Sequence, residues 1–173
     1  PRKDGGFGVQ YTLPLLTGGL LHLGGHLVAD DGQAPAWAGA TAGTAWLADP
    51  GLALAHPGAD PRLRAMRRLG ETGRLDKLAD RLGWSGRPDQ PARVLAYRLE
   101  KRCVLRLGQG PAGSAIIKVM RPKNLPAMVE AHRQAAVAVP KLIHVDSKAG
   151  IVVMDDLPGA PLDQVAPAAA PAA

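Results

Sequence analysis

Aromatic residues, cysteine and long apolar runs are all scarce in this chain of 173 residues. Aromatics make up only 3% of the sequence, so any core must be built mostly from aliphatic side chains. The single cysteine, Cys103, excludes an internal disulfide and a zinc site of cysteines, which suits a reducing compartment and predicts a cytoplasmic protein. No apolar run approaches the ~18 residues of a membrane span, so no membrane partner is expected.

Positive charge, by contrast, is in moderate excess. The chain has 21 Lys and Arg against 15 Asp and Glu, a net charge of +6, and its basic residues cluster at 62–68, 98–106 and 118–123. Such clusters indicate either a solvated basic surface or a site for an anionic ligand. Nucleic acid is the disfavoured partner, because side chains for base stacking are nearly absent.

Residues 1–85 are predicted to form an N-terminal extension that packs on the rest of the chain. It is expected to contain a β-hairpin, a loop with one short strand, and two short helices, the first opened by Asp60 and Pro61. These elements are predicted at 5–13, 20–28, near 44–47, from 61 onward and over 74–82. The Pro- and Gly-containing segment 85–91 is the best domain boundary.

Residues 86–162 are predicted to form an α+β lobe, an antiparallel sheet with one main helix. Short turns join most of its strands, which is typical of antiparallel pairing. The strands are expected at 93–98, 103–107, 114–120, 141–146 and 151–155, with the helix at about 125–138. Gly108, Gly110 and Gly113 have the spacing of a dinucleotide-binding fingerprint, but that fingerprint requires a helix after the glycines and this run leads into a strand. The run therefore predicts a plain hairpin turn. The Ala/Pro-rich tail 163–173 is expected to be disordered.

Lys118 is the residue that most suggests chemistry. It lies in the apolar strand SAIIKVM, where a buried ammonium group is costly unless it meets an anion. The alternative is that Lys118 extends from an edge strand into solvent. Glu130, in the following helix, is either its ion-pair partner or a plain surface residue, and Asp155 and Asp156 are either a metal-binding pair or a polar strand end.

The segments around Lys118 resemble the N-terminal lobe of aminoglycoside-phosphotransferase-like enzymes, which have a protein-kinase-like fold. The resemblance covers residues 93–162 and is carried by RVLAYRLEKRCVLRL, AIIKVMRP, LPAMVEAHRQAA, VPKLIHV and IVVMDDLPGAPL. It implies that ATP is the ligand, that Lys118 contacts its α- and β-phosphates, and that Glu130 orients Lys118. It further implies that backbone groups of a hinge bind the adenine edge; the hinge residues are Met154, Asp155, Asp156 and Leu157.

The chain also departs from that family. The first hairpin loop is Glu100-Lys101-Arg102 rather than a glycine-rich loop. Binding of the ATP phosphates would therefore rely on Lys101, Arg102 or backbone groups. The catalytic base and the magnesium ligands of such enzymes match nothing here and are expected in a second lobe. In the full enzyme, the γ-phosphate would pass to a hydroxyl of a sugar, aminoglycoside or similar metabolite. The alternatives are a non-catalytic pseudokinase-like or protein-interaction module, with self-association of the chain as a further expectation.

Two weaker candidates lie outside the resemblance. His22 and His26 are four residues apart, but in a strand this spacing holds them too far apart for a good metal site. Cys103 has no cysteine partner and no neighbouring histidine, so it is expected to be a buried structural thiol.

Overall fold

The computed structural model describes residues 7–15, 20–28, 33–71, 73–82, 92–110 and 113–157. The expected domain boundary at 85–91 and the tail at 163–173 lie outside these residues. The structure contains two antiparallel sheets and few helices, which confirms the α+β class. None of the helices in the described ranges is long and apolar enough to cross a membrane.

The first sheet has four strands, where only a hairpin and one short strand were expected. Strands β1 and β2 form the predicted hairpin, and β4 lies between β2 and β3 in the sheet order β1-β2-β4-β3. The strand bounds are β1 Phe7–Pro14, β2 Leu20–Leu27, β3 Thr44–Leu47 and β4 Leu52–Ala55. The prediction of a loop over β4 was wrong because Leu52, Ala53 and Ala55 are all buried, so the strand lacks the alternation that reveals one in sequence.

Two short helices follow the first sheet. Helix α1 spans Arg64–Leu69 and α2 spans Arg74–Arg81. The expected helix start at Asp60 was early by about one turn, because the Asp60 Oδ1 accepts from the backbone N–H groups of Arg62 (2.8 Å) and Leu63 (3.0 Å) in a turn that precedes the helix.

The second sheet has five strands in the order β5-β6-β7-β9-β8, with helix α3 inserted in sequence after β7. Strands β6 and β7 pair antiparallel up to Gly110 and Gly113, as the predicted hairpin requires. The bounds are β5 Arg93–Arg98, β6 Arg102–Gly110, β7 Gly113–Met120, α3 Leu125–Arg133, β8 Leu142–Asp146 and β9 Ile151–Asp155. Strand β7 is therefore the central strand, with two neighbours on each side.

Helix α3 ends at Arg133, five residues before its predicted end at 138. Alanines at 135, 136 and 138 favour a helix, but the side chain at Val137 is 73% exposed and has no core to face. A ring nitrogen of His132 lies 2.6 Å from the carbonyl oxygen of Pro140, a contact that folds the chain back toward β8. Tertiary contacts therefore override helix propensity here.

The two faces of the second sheet are covered by different elements. One face packs against α1 and α2, and buries Leu63, Met66 and Leu78 together with Ile117 and Val153. The other face packs against α3, and its buried residues are Met120, Leu125, Val129, Val152 and Met154. Because both faces are covered, β9 is almost entirely buried from Ile151 to Met154.

Asp60 joins the first region of the chain to the second sheet. Its carboxylate is buried, and its Oδ2 accepts from the Tyr97 hydroxyl at 2.9 Å and from the Glu100 backbone N–H at 2.7 Å. Burial and the adjacent Asp60 carboxylate raise the pKa of the Tyr97 phenol, which therefore stays protonated as a donor. Glu100 also forms ion pairs with Arg62 (3.5 Å) and Arg121 (3.6 Å). Polar contacts and a shared core thus fix α1 to the β5–β6 hairpin.

Candidate functional site

The alternation of β7 places Lys118 on one defined face of the second sheet. Ala115, Ile117 and Val119 are fully buried against the α1 and α2 side, so Lys118 faces the α3 side. Its neighbours across the strands are Val104 on β6 and Val152 on β9. Because β7 is the central strand, Lys118 does not extend from a sheet edge, which removes the alternative of an edge-strand lysine.

Lys118 is half-buried, and this changes its titration. Burial lowers the pKa of its ammonium group, and the positive charge of Arg102 lowers that pKa further. An anion bound beside Lys118 would favour the charged form and reverse both effects. A bound anion would therefore be stabilised by the charged form of Lys118.

Further positive charge lies on the same face of the sheet. Residues paired across an antiparallel ladder share a face, so Arg102 and Arg106 on β6 lie on the Lys118 side. Across the next ladder, Arg98 pairs with Arg102, and Arg93 pairs with Arg106. Like charges directly opposite each other are destabilising, so an anion on this face would offset an existing repulsion.

The Asp156 carboxylate binds two side chains of the protein itself, Arg106 and Ser114. The Arg106 Nε lies 2.8 Å from Asp156 Oδ2 without hydrogen-bond geometry, while Arg106 Nη2 donates to Oδ1 at 3.2 Å. Ser114 Oγ donates to Oδ2 at 2.5 Å. The carboxylate thus fixes the end of β9 to β6 and β7, and holds Arg106 in place.

The predicted hinge divides into a paired part and an unpaired part. Met154 is buried and pairs with Ile116 and Leu142, and the backbone N–H of Asp155 donates to the Lys141 carbonyl oxygen at 3.0 Å. Asp156 and Leu157 follow the last residue of β9, and Leu157 is exposed. Backbone recognition of a ligand edge is therefore most available at Asp156 and Leu157.

Glu130 lies on α3, the helix that covers the Lys118 face, but the two residues are not joined. Glu130 is exposed, and its Oε1 accepts a hydrogen bond from the Gln134 side chain at 2.6 Å. Among the described residues there is no ion pair between Glu130 and Lys118. The role of orienting Lys118 is thus not filled by Glu130 in this arrangement.

The remaining candidates occupy structural positions. His22 and His26 are both buried on β2, and the His22 Nδ1 lies 3.2 Å from the Thr12 hydroxyl. Cys103 is fully buried, and burial raises the pKa of its thiol to about 12, so it is not a nucleophile in the native state. In the part of the chain that the structure describes, no group of three or more His, Cys, Asp or Glu could hold a metal ion.

Sequence reasoning missed the two polar clusters that fix this site. It assigned Asp60 only to helix capping, and it gave no role to Ser114 and Arg106 beside Asp156. Both clusters join residues about 40 to 50 positions apart. The only signal in the sequence was the presence of acidic residues next to apolar strands, which does not identify their partners.

The comparisons with known proteins returned no match to a protein-family model, to a curated protein or to a solved structure. The likeness to the phosphotransferase lobe therefore rests on the motifs of residues 93–162 alone. The geometry of the Lys118 face carries the functional argument.

Proposed function

We propose that the Lys118 face binds ATP, and that residues 86–162 are the nucleotide-binding lobe of a small-molecule phosphotransferase. The observation that carries this proposal is the half-buried lysine on a central strand whose pKa is lowered by burial and by Arg102. A phosphate group is the ligand that would relieve both effects.

The neighbouring residues fit a triphosphate ligand. Arg102 lies two residues along β6 from Val104, the cross-strand neighbour of Lys118, and on the same face, so its guanidinium can reach the same phosphate chain. The position of Arg102 is consistent with the expectation that Lys101 or Arg102 binds the phosphates in place of a glycine-rich loop. Asp156 and Leu157, beyond the end of β9, would supply backbone groups to the adenine edge.

The reaction proposed for the full enzyme is transfer of the γ-phosphate to a hydroxyl of a small metabolite. Magnesium would neutralise charge on the phosphates in such a reaction. No residue of this chain is assigned to the catalytic base or to magnesium. The role of the chain is to bind and position the nucleotide.

Calorimetric titration with a non-hydrolysable ATP analogue tests the proposal. Lys118→Met should weaken binding by about tenfold or more, since a hydrogen bond to a charged group contributes about 1.5–3 kcal/mol. Lys123→Met is the matched control, because Lys123 is exposed beyond the end of β7, and it should bind like the wild type. Absence of binding by the wild type at millimolar analogue would overturn the proposal.

The second candidate is a non-catalytic protein-interaction module. Strand β8 is an edge strand, and its Ile143 and Val145 side chains are each 37% exposed. An edge strand with exposed β-branched side chains is a template for pairing with another chain, including a second copy of this one. This candidate predicts that Ile143→Lys reduces association with a partner or with itself, while a nucleotide response is absent in the wild type.

A further inference from the structure

A second concentration of positive charge lies between α1 and the turn that joins β8 to β9. Helix α1 packs on the face of the second sheet opposite to Lys118, and Lys118 does not line this region, although Met120 at the end of β7 does. It contains a cavity of about 340 Å³. The cavity is lined by Arg62, Arg64, Ala65, Arg68, Met120, Pro122, Lys148 and Ala149.

Every charged side chain that lines this cavity is a cation. Arg64 and Arg68 are four residues apart on α1 and therefore lie on one helix face, while Lys148 comes from the β8–β9 turn. Arg62 has an acidic partner in Glu100, at 3.5 Å. Within the described ranges, Arg64, Arg68 and Lys148 form no ion pair.

The positive surface continues into an adjoining cavity of about 110 Å³. The two cavities share Ala65, Arg68 and Ala149, and the second adds three cations from the α2 region, which are Arg74, Lys77 and Arg81. One acidic residue, Asp146, also lines the smaller cavity, and its Oδ1 accepts from the backbone N–H groups of residues 148 and 149. The exposed Glu71 pairs with Arg74 at 3.1 Å. In the described part of the chain, Arg64, Arg68 and Lys148 of the larger cavity thus have no carboxylate in ion-pair contact.

We propose that these two adjoining cavities form a binding site for a small polyanion that carries two or more phosphate groups. Converging cations from separate elements repel one another, and an anion with several charges would offset that repulsion. Guanidinium groups suit phosphate because they donate two parallel hydrogen bonds. The size of the larger cavity is that of a small-molecule site, and no described Phe, Tyr or Trp side chain lines either cavity to stack a base; the one aromatic ring among the described lining residues is the imidazole of His144, in the smaller cavity.

Calorimetric titration with tripolyphosphate, an inorganic probe without a base or sugar, tests this site. The triple variant Arg64→Gln/Arg68→Gln/Lys148→Gln should bind about tenfold or more weakly than the wild type, since each exposed charge pair contributes up to about 1 kcal/mol. Thermal unfolding followed by circular dichroism checks that the variant is folded, which is expected because Arg64, Arg68 and Lys148 are exposed.

A second triple variant removes the same charge elsewhere. Lys123→Gln/Arg133→Gln/Lys141→Gln neutralises three exposed cations that line neither cavity, and it should bind tripolyphosphate as the wild type does. If both triple variants bind tripolyphosphate equally weakly, the loss comes from net charge alone and the proposal is overturned. A short duplex DNA that binds more tightly than tripolyphosphate at the same ionic strength would overturn it in favour of nucleic acid.

The Lys118→Met variant separates this inference from the proposed function. It should bind tripolyphosphate in the α1 cavities with wild-type affinity, because Lys118 lines neither cavity. Loss of tripolyphosphate binding in Lys118→Met would place the anion at the nucleotide site and overturn the α1 site.

Discussion

The two regions of the molecule bury their strands in different ways. In the first sheet, β1 is exposed along almost its whole length, and the Phe7 side chain is 62% exposed. In the second sheet, β7 buries every second residue deeply, and β9 buries four residues in succession. The second sheet is covered on both faces by helices. The first region therefore depends on the second for much of its core.

The polar groups differ as well. The buried polar residues of the first region, Asp60, His22 and His26, lie where it meets the second sheet or within β2. The half-buried charged residues Lys118, Arg106 and Asp156 of the second region lie on the α3 side of the sheet. Both proposed ligand sites therefore lie on the second sheet or on α1, which packs against it.

The largest expected effect comes from removing the Asp60 carboxylate. Asp60→Ala leaves the Tyr97 hydroxyl and three backbone N–H groups without their acceptor, and should lower the free energy of unfolding by about 3 kcal/mol or more. Urea unfolding measures this loss. Tyr97→Phe removes one of these bonds and should cost about 1–2 kcal/mol.

Two probes can follow the same unfolding experiment in the two regions separately. All three tryptophans lie in residues 1–85, while Cys103 lies in the second sheet, where its thiol reacts only after opening. Tryptophan fluorescence and Cys103 alkylation should give one coincident transition in the wild type. The control for Asp60→Ala is Asp80→Ala, on the exposed side of α2, which should change the free energy of unfolding by less than about 0.5 kcal/mol. Two well-separated transitions would contradict a shared core.

A smaller effect is expected from His22 and depends on pH. Burial and the positive charge of Arg93 lower the pKa of His22 below its usual 6.5. The unfolded chain then binds more protons than the native one just below pH 6.5, so stability decreases as the pH falls through that range.

His22→Gln should remove this slope in urea unfolding measured between pH 7.5 and 5.5, the range around the usual pKa of ~6.5. Thr12→Val removes the neighbouring hydroxyl but no titrating group, and should keep the slope. If the pH dependence of the free energy of unfolding is the same in His22→Gln as in the wild type, it comes from other titrating groups and the prediction is wrong.

The sequence predicted most of the strands, because they have clear local patterns. The strands at 93–98 and 151–155 match the predicted bounds, and the β-hairpin of the first sheet is off by no more than two residues. Strand β4 was missed because it is buried on both faces and so lacks an alternating pattern. Helix α3 was predicted too long because the helix propensity of alanine gives no information on what the helix packs against. Both errors come from tertiary contacts that local patterns do not contain.

The sequence predicted the elements that carry the candidate residues, but not the contacts of those residues. An apolar strand with one lysine identified Lys118, and the order of the elements identified the segment from Met154 to Leu157. The separation of Glu130 from Lys118 and the use of Asp156 by Arg106 depend on side-chain placement across strands far apart in sequence. The basic run at 62–68 was visible, but its convergence with Lys148 required the fold.

The central claim is that a nucleotide binds the Lys118 face of the second sheet. Backbone amide chemical shifts recorded during titration with a non-hydrolysable ATP analogue test it most directly. We expect shifts at Val104, Lys118, Val152 and Leu157 that disappear in Lys118→Met. Shifts confined to α1 and the β8–β9 turn, or no shifts at millimolar analogue, would contradict it.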